Sequence, residues 1–532
     1  MSAEDRHAPA WTLWLLLAGG TVLLAGMPLP LTDGVTAFYG KIAKNILASG
    51  DWLTLHHRIM PVVDKPPMTF WLMSACMAVF GTGEWVLRVW HIGLAIATVL
   101  TTFALARLAL PRPQALLSAL ILLTTMQFFY QSLVPEQHIP LTLFVTLAVY
   151  GFLRWERGAP GAAAVLASCA VACAVLSIGL AGLVMPVLIV GAHLMVDRPR
   201  LPPRPLPVAI LAVLVFLGLT APWFVIGILR QGRPFADTFF LGGTLGVGRY
   251  FHHVQTSPTT VPWWAGFGAY VLLVPLGFLP WTGWLWPALR GGWAARREEP
   301  LLWTCTLWVI VVLGFLSLSL GDKSSRYILP VFPPLAVLAG HALGQPRWAK
   351  QAAAVSLAAA LPLLGVVAVV PFWKFPEESR HYAPLFWAFL PPFALALASY
   401  AALTFLGRPR RAIVVLAAMT LLAYGLAMAM LARTWDQISP WRPLARIINA
   451  IPVADAQVLV LGAFNEFADY YIDRPVEFVN GDTLARAWRG GRVLAIVPEA
   501  AAGSPVLPTP TVLAITPSGL ALVSNFPISP PR

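Results

Sequence analysis

Long apolar segments recur along most of the chain, and they constrain its fold more than any other feature. A helix needs about 20 apolar residues to cross a bilayer. By this criterion the sequence predicts an all-α polytopic membrane protein with about 13 transmembrane helices. The predicted spans are 11–28, 85–107, 114–131, 139–154, 161–177, 179–196, 207–229, 262–287, 301–320, 327–344, 351–371, 385–406 and 412–432.

Composition supports a membrane protein and argues against a soluble one. Of the 532 residues, 58% are hydrophobic and only 11% are charged, whereas soluble domains carry about 25% charged residues. The four cysteines lie in apolar segments, so we interpret them as buried hydrophobic residues rather than as a metal or redox site. We interpret the first apolar segment as a retained span and not as a cleaved signal peptide.

Positively charged residues mark every second loop between the predicted spans. If the N-terminus is cytoplasmic, each short inner loop contains arginine, as the positive-inside rule requires. These residues are Arg107, Arg112, Arg154, Arg157, Arg198, Arg200, Arg204, Arg290, Arg296, Arg297, Arg347, Lys350, Arg408, Arg410 and Arg411. An odd number of spans then places the C-terminus outside. Because topology explains much of the net charge of +13, the charge implies no nucleic-acid partner.

The composition becomes typical of a soluble domain after the last predicted span. Five short runs there favour strands, namely QVLVLGAF, RPVEFVN, RVLAIVPE, TVLAITP and ALVSN. Segments such as NEFADYYIDR and GDTLARAWRGG separate them and favour helices or turns. The sequence therefore predicts a transmembrane domain over 1–432 and a small extracytoplasmic α/β domain over 433–532.

The first outer loop, residues 29–84, mixes acids, bases and aromatic residues beside the membrane. Apolar residues recur in it at helical spacing opposite Lys41 and Lys44, and Gly50 ends the pattern. This predicts an amphipathic helix suited to lie flat at the membrane interface. A second helix, Met68–Phe80, follows two prolines and is too short to span the membrane.

Three residues in outer segments are candidates for acid–base chemistry. Asp33 precedes the amphipathic helix, where it could be an N-cap, a general base, or both. Glu136 and His138 lie in a short outer turn between two predicted spans. Ionisable residues at that depth are either functional or simple helix-end residues that reach the interface.

Basic residues of the outer loops are candidates for phosphate binding. Lys65 follows Asp64 and precedes two prolines, and lysine is a good point-charge partner for phosphate. The alternative is an ordinary ion pair in a loop. The other predicted phosphate ligands could instead extend to the interface from buried stems. They are Arg58, Arg249, Lys323, Arg326 and Tyr327.

Two outer histidine pairs, His56-His57 and His252-His253, raise the question of a metal site. With Asp64, they would offer nitrogen and oxygen ligands to a divalent metal such as Zn, Mg or Mn. No stronger metal-binding spacing accompanies them, and solvated or hydrogen-bonded histidines are the alternative. The ligands we predict are Asp64, His252 and His253.

Several of these segments together resemble a known family. YGKIAKNILASGDW, DKPPMTFWL, PLTLFVTLAVYGFLRW and SSRYILPVFPPLAVLAG are similar to the aminoarabinose transferase and protein O-mannosyltransferase-like branch of the GT-C glycosyltransferases, glycosyltransferase family 39. The resemblance implies an inverting enzyme of the bacterial inner membrane. Such an enzyme takes a sugar from polyprenyl (undecaprenyl) phosphate and transfers it, outside the cytoplasm, to a lipid such as lipid A or to a protein.

The resemblance also implies roles for particular residues. Asp33 would be the acid of the first loop, Lys65 would bind the donor phosphate, and Asp64 would stand at a metal-binding position. Tyr327, Lys323 and Arg326 would line the phosphate site. The chain departs from the family pattern at two acids: Val35 and His138 stand where the family has carboxylates, and Asp33 and Glu136 each lie two residues upstream.

Other functions make different demands on the sequence. A transporter or lipid flippase predicts charges near the membrane midplane and an internal repeat, whereas the ionisable residues here gather at one predicted face. A protein O-glycosyltransferase would use the same donor site with a different acceptor. A non-catalytic scaffold leaves the acids and lysines of the first loop unexplained. The enzyme hypothesis requires Asp33, Lys65 and Tyr327 to share one water-accessible chamber outside the bilayer.

Overall fold

The computed structural model describes residues 10–197, 202, 205–242, 265–318, 323–374, 376–453, 455–504 and 507–528. Helices dominate the membrane region up to Ile438. They are Ala10–Ala25, Gly34–Ser49, Met68–Phe80, Glu84–Ala106, Arg112–Thr124, Met126–Ser132, His138–Glu156, Ala162–Ile178, Ala181–Asp197, Pro205–Gln231, Arg233–Ala236, Ala265–Gly277, Leu285–Ala294, Pro300–Leu318, Phe332–Leu343, Ala349–Lys374, Pro376–Phe405 and Pro409–Ile438.

The described residues include seven helices that are long and apolar enough to cross a membrane. Two bent helix pairs, at 112–132 and 268–297, bring the number to nine if each pair is one span. Shorter apolar helices occupy the other predicted spans: Ala10–Ala25, Ala162–Ile178, Ala181–Asp197 and Leu329–Leu343. Apolar helices therefore occur at every predicted span, which confirms a multi-span membrane protein.

The last long helix, Pro409–Ile438, leads directly into the C-terminal domain. It continues past the predicted domain boundary at 433, and the short helix Trp441–Ala450 follows it. Leu444, Ala445 and Ile448 of that short helix pack in the core of the C-terminal domain. The change to soluble composition therefore begins within the last turn and a half of a membrane helix.

The C-terminal domain contains one five-stranded sheet. The strands are β3 (Gln457–Leu461), β4 (Val476–Val479), β5 (Val493–Pro498), β6 (Thr511–Ile515) and β7 (Leu520–Ser524), in the order β4-β3-β5-β7-β6. Strand β3 pairs in parallel with β4 and β5, while β7 is antiparallel to β5 and β6. Helices Trp441–Ala450, Glu466–Tyr471, Gly481–Gly490 and Glu499–Ala502 complete the domain. The predicted strands and α/β class are confirmed.

The first outer loop folds as its sequence predicts. Asp33 is the N-cap of helix Gly34–Ser49, and Gly50 ends that helix with a φ of 71° in the left-handed region that favours glycine. A two-stranded hairpin follows, formed by β1 (His56–His57) and β2 (Met60–Pro61). The apolar face of the helix, including Tyr39 and Ile42, packs in one core with Phe70.

The C-terminal domain covers the polar face of helix Gly34–Ser49. Lys41 Nζ donates to the Asp469 carbonyl at 2.8 Å, and Lys44 Nζ donates to the Tyr470 carbonyl at 2.9 Å. Lysines near a helix C-terminus satisfy carbonyls that lack intrahelical partners. The position of this helix at the membrane interface stays a prediction.

Close backbone packing in the membrane region predicts a large effect of one methyl group. A Cβ atom added at Gly283 would overlap the carbonyl group of Ala352 on the neighbouring helix. Because that obstacle is backbone, we expect Gly283→Ala to lower the free energy of unfolding by about 1–3 kcal/mol. Thermal unfolding in detergent measures this. Gly218→Ala is the control, because a Cβ there meets nothing within 4 Å; equal melting temperatures for both variants would contradict the prediction.

Candidate active site

Asp33 is held rigidly at the start of the amphipathic helix. Its Oδ1 accepts a hydrogen bond from the Val35 amide at 3.0 Å, and its Oδ2 accepts one from Thr36 Oγ1 at 3.4 Å. The positive end of the helix dipole also favours a carboxylate at this position. The N-cap role is therefore confirmed, and the cap fixes the orientation of the carboxylate.

Glu136 lies in the turn before helix His138–Glu156 and is only 3% exposed. Arg326 Nη1 donates to both Glu136 carboxylate oxygens, at 3.0 and 3.1 Å. The Asp33 carboxyl group is close enough to Glu136 to raise its pKa. We call Asp33, Glu136 and Arg326 the carboxylate cluster. Residues from three distant segments thus meet at one place.

Burial and a neighbouring acid set the protonation of the carboxylate cluster. Burial raises the pKa of Glu136 to about 7, with Arg326 opposing the rise and Asp33 adding to it. Burial alone would lower the pKa of Arg326, but Glu136 outweighs it and the pKa is raised. A carboxyl group whose pKa lies near neutral pH can act as a general acid or a general base.

Three aromatic rings lie near the carboxylate cluster. His138 Nε2 lies 3.6 Å from Glu136, and the His138 ring centre is 5.5 Å from that of Tyr327. Tyr39 is 3% exposed on the helix that Asp33 caps. Burial raises the pKa of Tyr39, and the charges of Glu136, Asp64 and Asp33 raise it further. The sequence did not single out Tyr39, because its spacing places it among the apolar residues of that helix.

The predicted phosphate lysines have different surroundings. Lys65 Nζ lies 3.2 Å from Asp64, whose charge acts on Tyr39 beside the carboxylate cluster. Lys323 Nζ donates to the Leu316 and Ser317 carbonyls at 2.7 and 3.2 Å, and burial lowers its pKa. Lys323 thus satisfies the end of helix Pro300–Leu318. Phosphate binding by either lysine stays a prediction.

Arg58 lies against the C-terminal domain rather than the carboxylate cluster. It occupies the turn of the hairpin with a φ of 58°, donates to the Val476 carbonyl and lies 3.9 Å from Asp469. These contacts give its predicted phosphate role no support. His57, from the first histidine pair, lies 3.1 Å from the same Asp469 carboxylate.

The predicted metal site falls largely outside the described residues, because its ligands His252 and His253 lie there. The predicted phosphate ligand Arg249 also lies outside the described residues. Within the part of the chain that the structure describes, no group of three His, Cys, Asp or Glu side chains is arranged to hold a metal ion. The Asp64 carboxylate is paired with Lys65. A metal at Asp64 therefore stays a prediction.

An apolar cavity adjoins the carboxylate cluster. Its volume is about 260 Å³, and its lining includes Leu29, Thr32, Phe129, Tyr130 and Phe389. Thr32 is next to Asp33 in the chain, and Tyr130 lies within electrostatic reach of Asp33, Glu136 and Arg326. A hydrocarbon chain in this cavity would therefore end close to the carboxyl groups.

Comparisons with known proteins connect this geometry to a family. Residues 64–226 match the family model of dolichyl-phosphate-mannose-protein mannosyltransferases. An undecaprenyl phosphate-α-4-amino-4-deoxy-L-arabinose arabinosyl transferase of Pseudomonas aeruginosa is 28% identical over 58% of this chain and 54% of its own length. A second, of Sodalis glossinidius, is 31% identical over 61% and 58%. The chain is thus similar in sequence to these transferases over about three fifths of its length.

Solved structures confirm the GT-C fold. ArnT from Cupriavidus metallidurans, bound to undecaprenyl phosphate, matches with a TM-score of 0.79 and 22% identity, covering 97% of this chain and 98% of that one. The oligosaccharyltransferase of Archaeoglobus fulgidus in its apo form matches with a TM-score of 0.52 and 11% identity, covering 93% and 70%. In sequence, the chain spans little more than half the length of the two arabinosyl transferases.

Two carboxyl groups of the carboxylate cluster stand at the departures from the family pattern that the sequence resembles. Val35 and His138 take the positions where that pattern would have acids, and Asp33 and Glu136 lie two residues upstream of them. The structure brings these two carboxyl groups close to each other.

Proposed function

We propose that the protein is an inverting glycosyltransferase that moves a sugar from polyprenyl (undecaprenyl) phosphate to a lipid acceptor such as lipid A. The observation that carries this proposal is the carboxylate cluster at the edge of an apolar cavity. The named activity of the arabinosyl transferase relatives supports the same donor and suggests an amino-pentose as the sugar.

The chemistry of the transfer assigns a task to each side chain. The acceptor oxygen attacks C1 of the sugar from the face opposite the phosphate, so the configuration at C1 inverts. The bond from C1 to the phosphate oxygen breaks, and its electron pair leaves with the polyprenyl phosphate. The proton of an acceptor hydroxyl passes to the Asp33–Glu136 pair. Arg326 and Lys65 stabilise the leaving phosphate, and their effect is strong in a low-dielectric site.

The apolar cavity favours a reaction in which one substrate is a lipid over a reaction between two soluble substrates. Most of its lining is aromatic and aliphatic, Arg88 also lines it, and Thr32 and Tyr130 connect it to the carboxylate cluster. An isoprenoid or acyl chain buried there would gain about 0.8 kcal/mol for each CH₂ group removed from water. This arrangement would hold a lipid with its polar end at the acids.

We place the carboxylate cluster on the outer face of the inner membrane, with the N-terminus in the cytoplasm and the C-terminal domain in the periplasm. The arginine-marked loops support this orientation. The contacts also fall into two groups, one at each predicted side of the membrane. His193 lies 3.2 Å from Glu156 at the predicted inner ends of their helices. Asp33, Glu136 and Arg326 meet at predicted outer segments. A divalent metal stays a further proposal, with Asp64 as one oxygen ligand. Loss of activity in EDTA that zinc or manganese restores would support it, and full activity in EDTA would contradict it.

Transfer by purified protein in detergent tests the proposed function. The donor would be an undecaprenyl-phosphate-linked 4-amino-4-deoxy-arabinose, offered with lipid A or with a secreted protein, and mass spectrometry would identify the product. We expect glycosylated lipid A. Product on protein alone would favour the protein O-glycosyltransferase instead. A lipid-linked sugar flippase needs no bond cleavage, so an intact donor with both acceptors would overturn the enzyme proposal.

A further inference from the structure

A short helix of the C-terminal domain contacts the chain on both sides of Asp33. We call this helix, Glu466–Tyr471, the docking helix. Its Tyr471 hydroxyl accepts a hydrogen bond from the Leu31 amide at 3.3 Å. On the other side, a Cβ at Gly34 would lie 3.3 Å from the Glu466 carboxylate. The residues that flank the catalytic acid are therefore held by the same element.

The last turn of the docking helix is fastened to the helix that Asp33 caps. Besides donating to the Tyr470 carbonyl, Lys44 lies 4.3 Å from the centre of the Tyr470 ring. The same ring approaches Gly40 so closely that a Cβ there would lie 2.6 Å from it. Only glycine allows this approach without displacing the tyrosine ring.

Asp469 of the docking helix is buried where this helix packs against the first outer loop. It is 3% exposed, and its partners are all in the first outer loop, with His57 at 3.1 Å and Arg58 at 3.9 Å. Burial alone would raise the pKa of Asp469, but the hydrogen bond with His57 and the charge of Lys41 outweigh it and lower the pKa. The His57 ring also packs 4.4 Å from the ring of Phe38.

We propose that Asp469, His57 and Tyr471 are positioning residues through which the C-terminal domain sets the place of Asp33 for sugar transfer. The proposal rests on the proposed function. A buried carboxylate with cationic partners fixes geometry strongly, because loss of one partner leaves a buried charge unpaired. A misplacement of about 1 Å at a reacting group can lower a rate by about 10²-fold.

Substitution of Asp469 tests this role through kcat and KM. Asp469→Asn keeps the shape and removes the charge, and we expect it to lower kcat about tenfold while KM for the donor stays within about twofold. His57→Leu should lower kcat to the same extent. His57→Gln, which keeps an N–H donor, should retain part of the kcat that His57→Leu loses. The double variant Asp469→Asn/His57→Leu should be no worse than either single variant.

The control is Asp455→Asn in the same domain. Asp455 pairs with Arg492 at 3.4 Å, and its side chain is 69% exposed. Since an exposed pair contributes little, kcat should not change. A wild-type kcat for Asp469→Asn and His57→Leu, or an equal loss in Asp455→Asn, would overturn the positioning role. If Asp469→Asn does not fold, Tyr471→Phe removes one hydroxyl and tests the Leu31 contact alone.

Hydrogen exchange separates this proposal from the proposed function. We expect backbone amides of residues 31–36 to exchange about tenfold faster in Asp469→Asn and Tyr471→Phe than in the wild-type chain. Unchanged exchange in both variants overturns the proposal even if the enzyme is active. If the wild-type chain transfers no sugar, the exchange result still decides whether the docking helix holds the Asp33 segment.

Discussion

Asp33→Asn is expected to reduce sugar transfer by about 10²–10⁴-fold without unfolding the protein. Asparagine is as good an N-cap as aspartate, so the hydrogen bonds to Val35 and Thr36 can be kept. The change removes only the ability to accept a proton and the charge beside Glu136. The structural and catalytic roles of Asp33 are therefore separated by one substitution.

The matched variant is Asp33→Ala, which removes the cap as well. It should lose the same activity and, in addition, about 1 kcal/mol of unfolding free energy. Initial rates with saturating donor, measured beside thermal unfolding of the same preparations, distinguish the variants. An Asp33→Asn protein that keeps more than half of the wild-type kcat would leave Asp33 as a helix cap only.

Glu136→Gln is the second change with a large expected effect, about 10²–10⁴-fold in kcat/KM. It removes the ion pair with Arg326 at 3.0 Å and the carboxyl group beside Asp33. In the wild-type protein, Glu136, with a pKa of about 7, holds a proton below that pH and cannot accept another from an acceptor hydroxyl. We therefore expect kcat/KM to rise with pH up to about 7 and then level off.

Glu136→Gln should abolish that rise, because the carboxyl group whose pKa is about 7 is gone. A pH profile with a hydroxyl acceptor, for the wild type and Glu136→Gln, measures the difference. An acceptor that is already an ionised phosphate should show no rise in either protein. If the wild-type profile with a hydroxyl acceptor is flat from pH 5 to 8, the Asp33–Glu136 pair is not the base.

Stability should depend on pH in the opposite sense to activity. The pKa of Glu136 rises from 4.5 to about 7 on folding, so between these values the folded state holds a proton that the unfolded state has lost. The contribution of Glu136 to the free energy of unfolding is therefore fully present below about pH 4.5, and it falls as the pH rises towards 7. Glu136→Gln should remove this slope from melting temperatures measured across the same range.

Sequence periodicity and turn residues predicted most helices and strands. The grouping of polar residues in outer segments predicted candidates for the site. The helix after Asp33, the helix Met68–Phe80 and all five strands of the C-terminal domain follow from periodicity and turn residues. The sequence placed Asp33, Glu136 and Arg326 in outer segments as candidate site residues, and the structure brings these three together. Tyr39 was missed because a buried tyrosine beside the acids has the same spacing as a core residue.

The docking of the C-terminal domain could not be read from the sequence. Lys41 and Lys44 have the spacing that is typical of a helix on a membrane surface, yet their partners are the carbonyls of Asp469 and Tyr470. The sequence around a lysine does not show whether its ammonium group binds a lipid phosphate or the carbonyl groups at the end of a helix. Arg58 likewise fits either a phosphate or the Val476 carbonyl, and only the fold decides.

The contact between Lys41 and Asp469 joins residues 428 positions apart, and this separation has a consequence for biogenesis. During synthesis, the first outer loop emerges early, while the segment that fastens it emerges only after the last membrane helix. An unfinished polypeptide therefore carries the loop without its partner, and the contacts that hold the Asp33 segment can form only once the C-terminal domain has been synthesised.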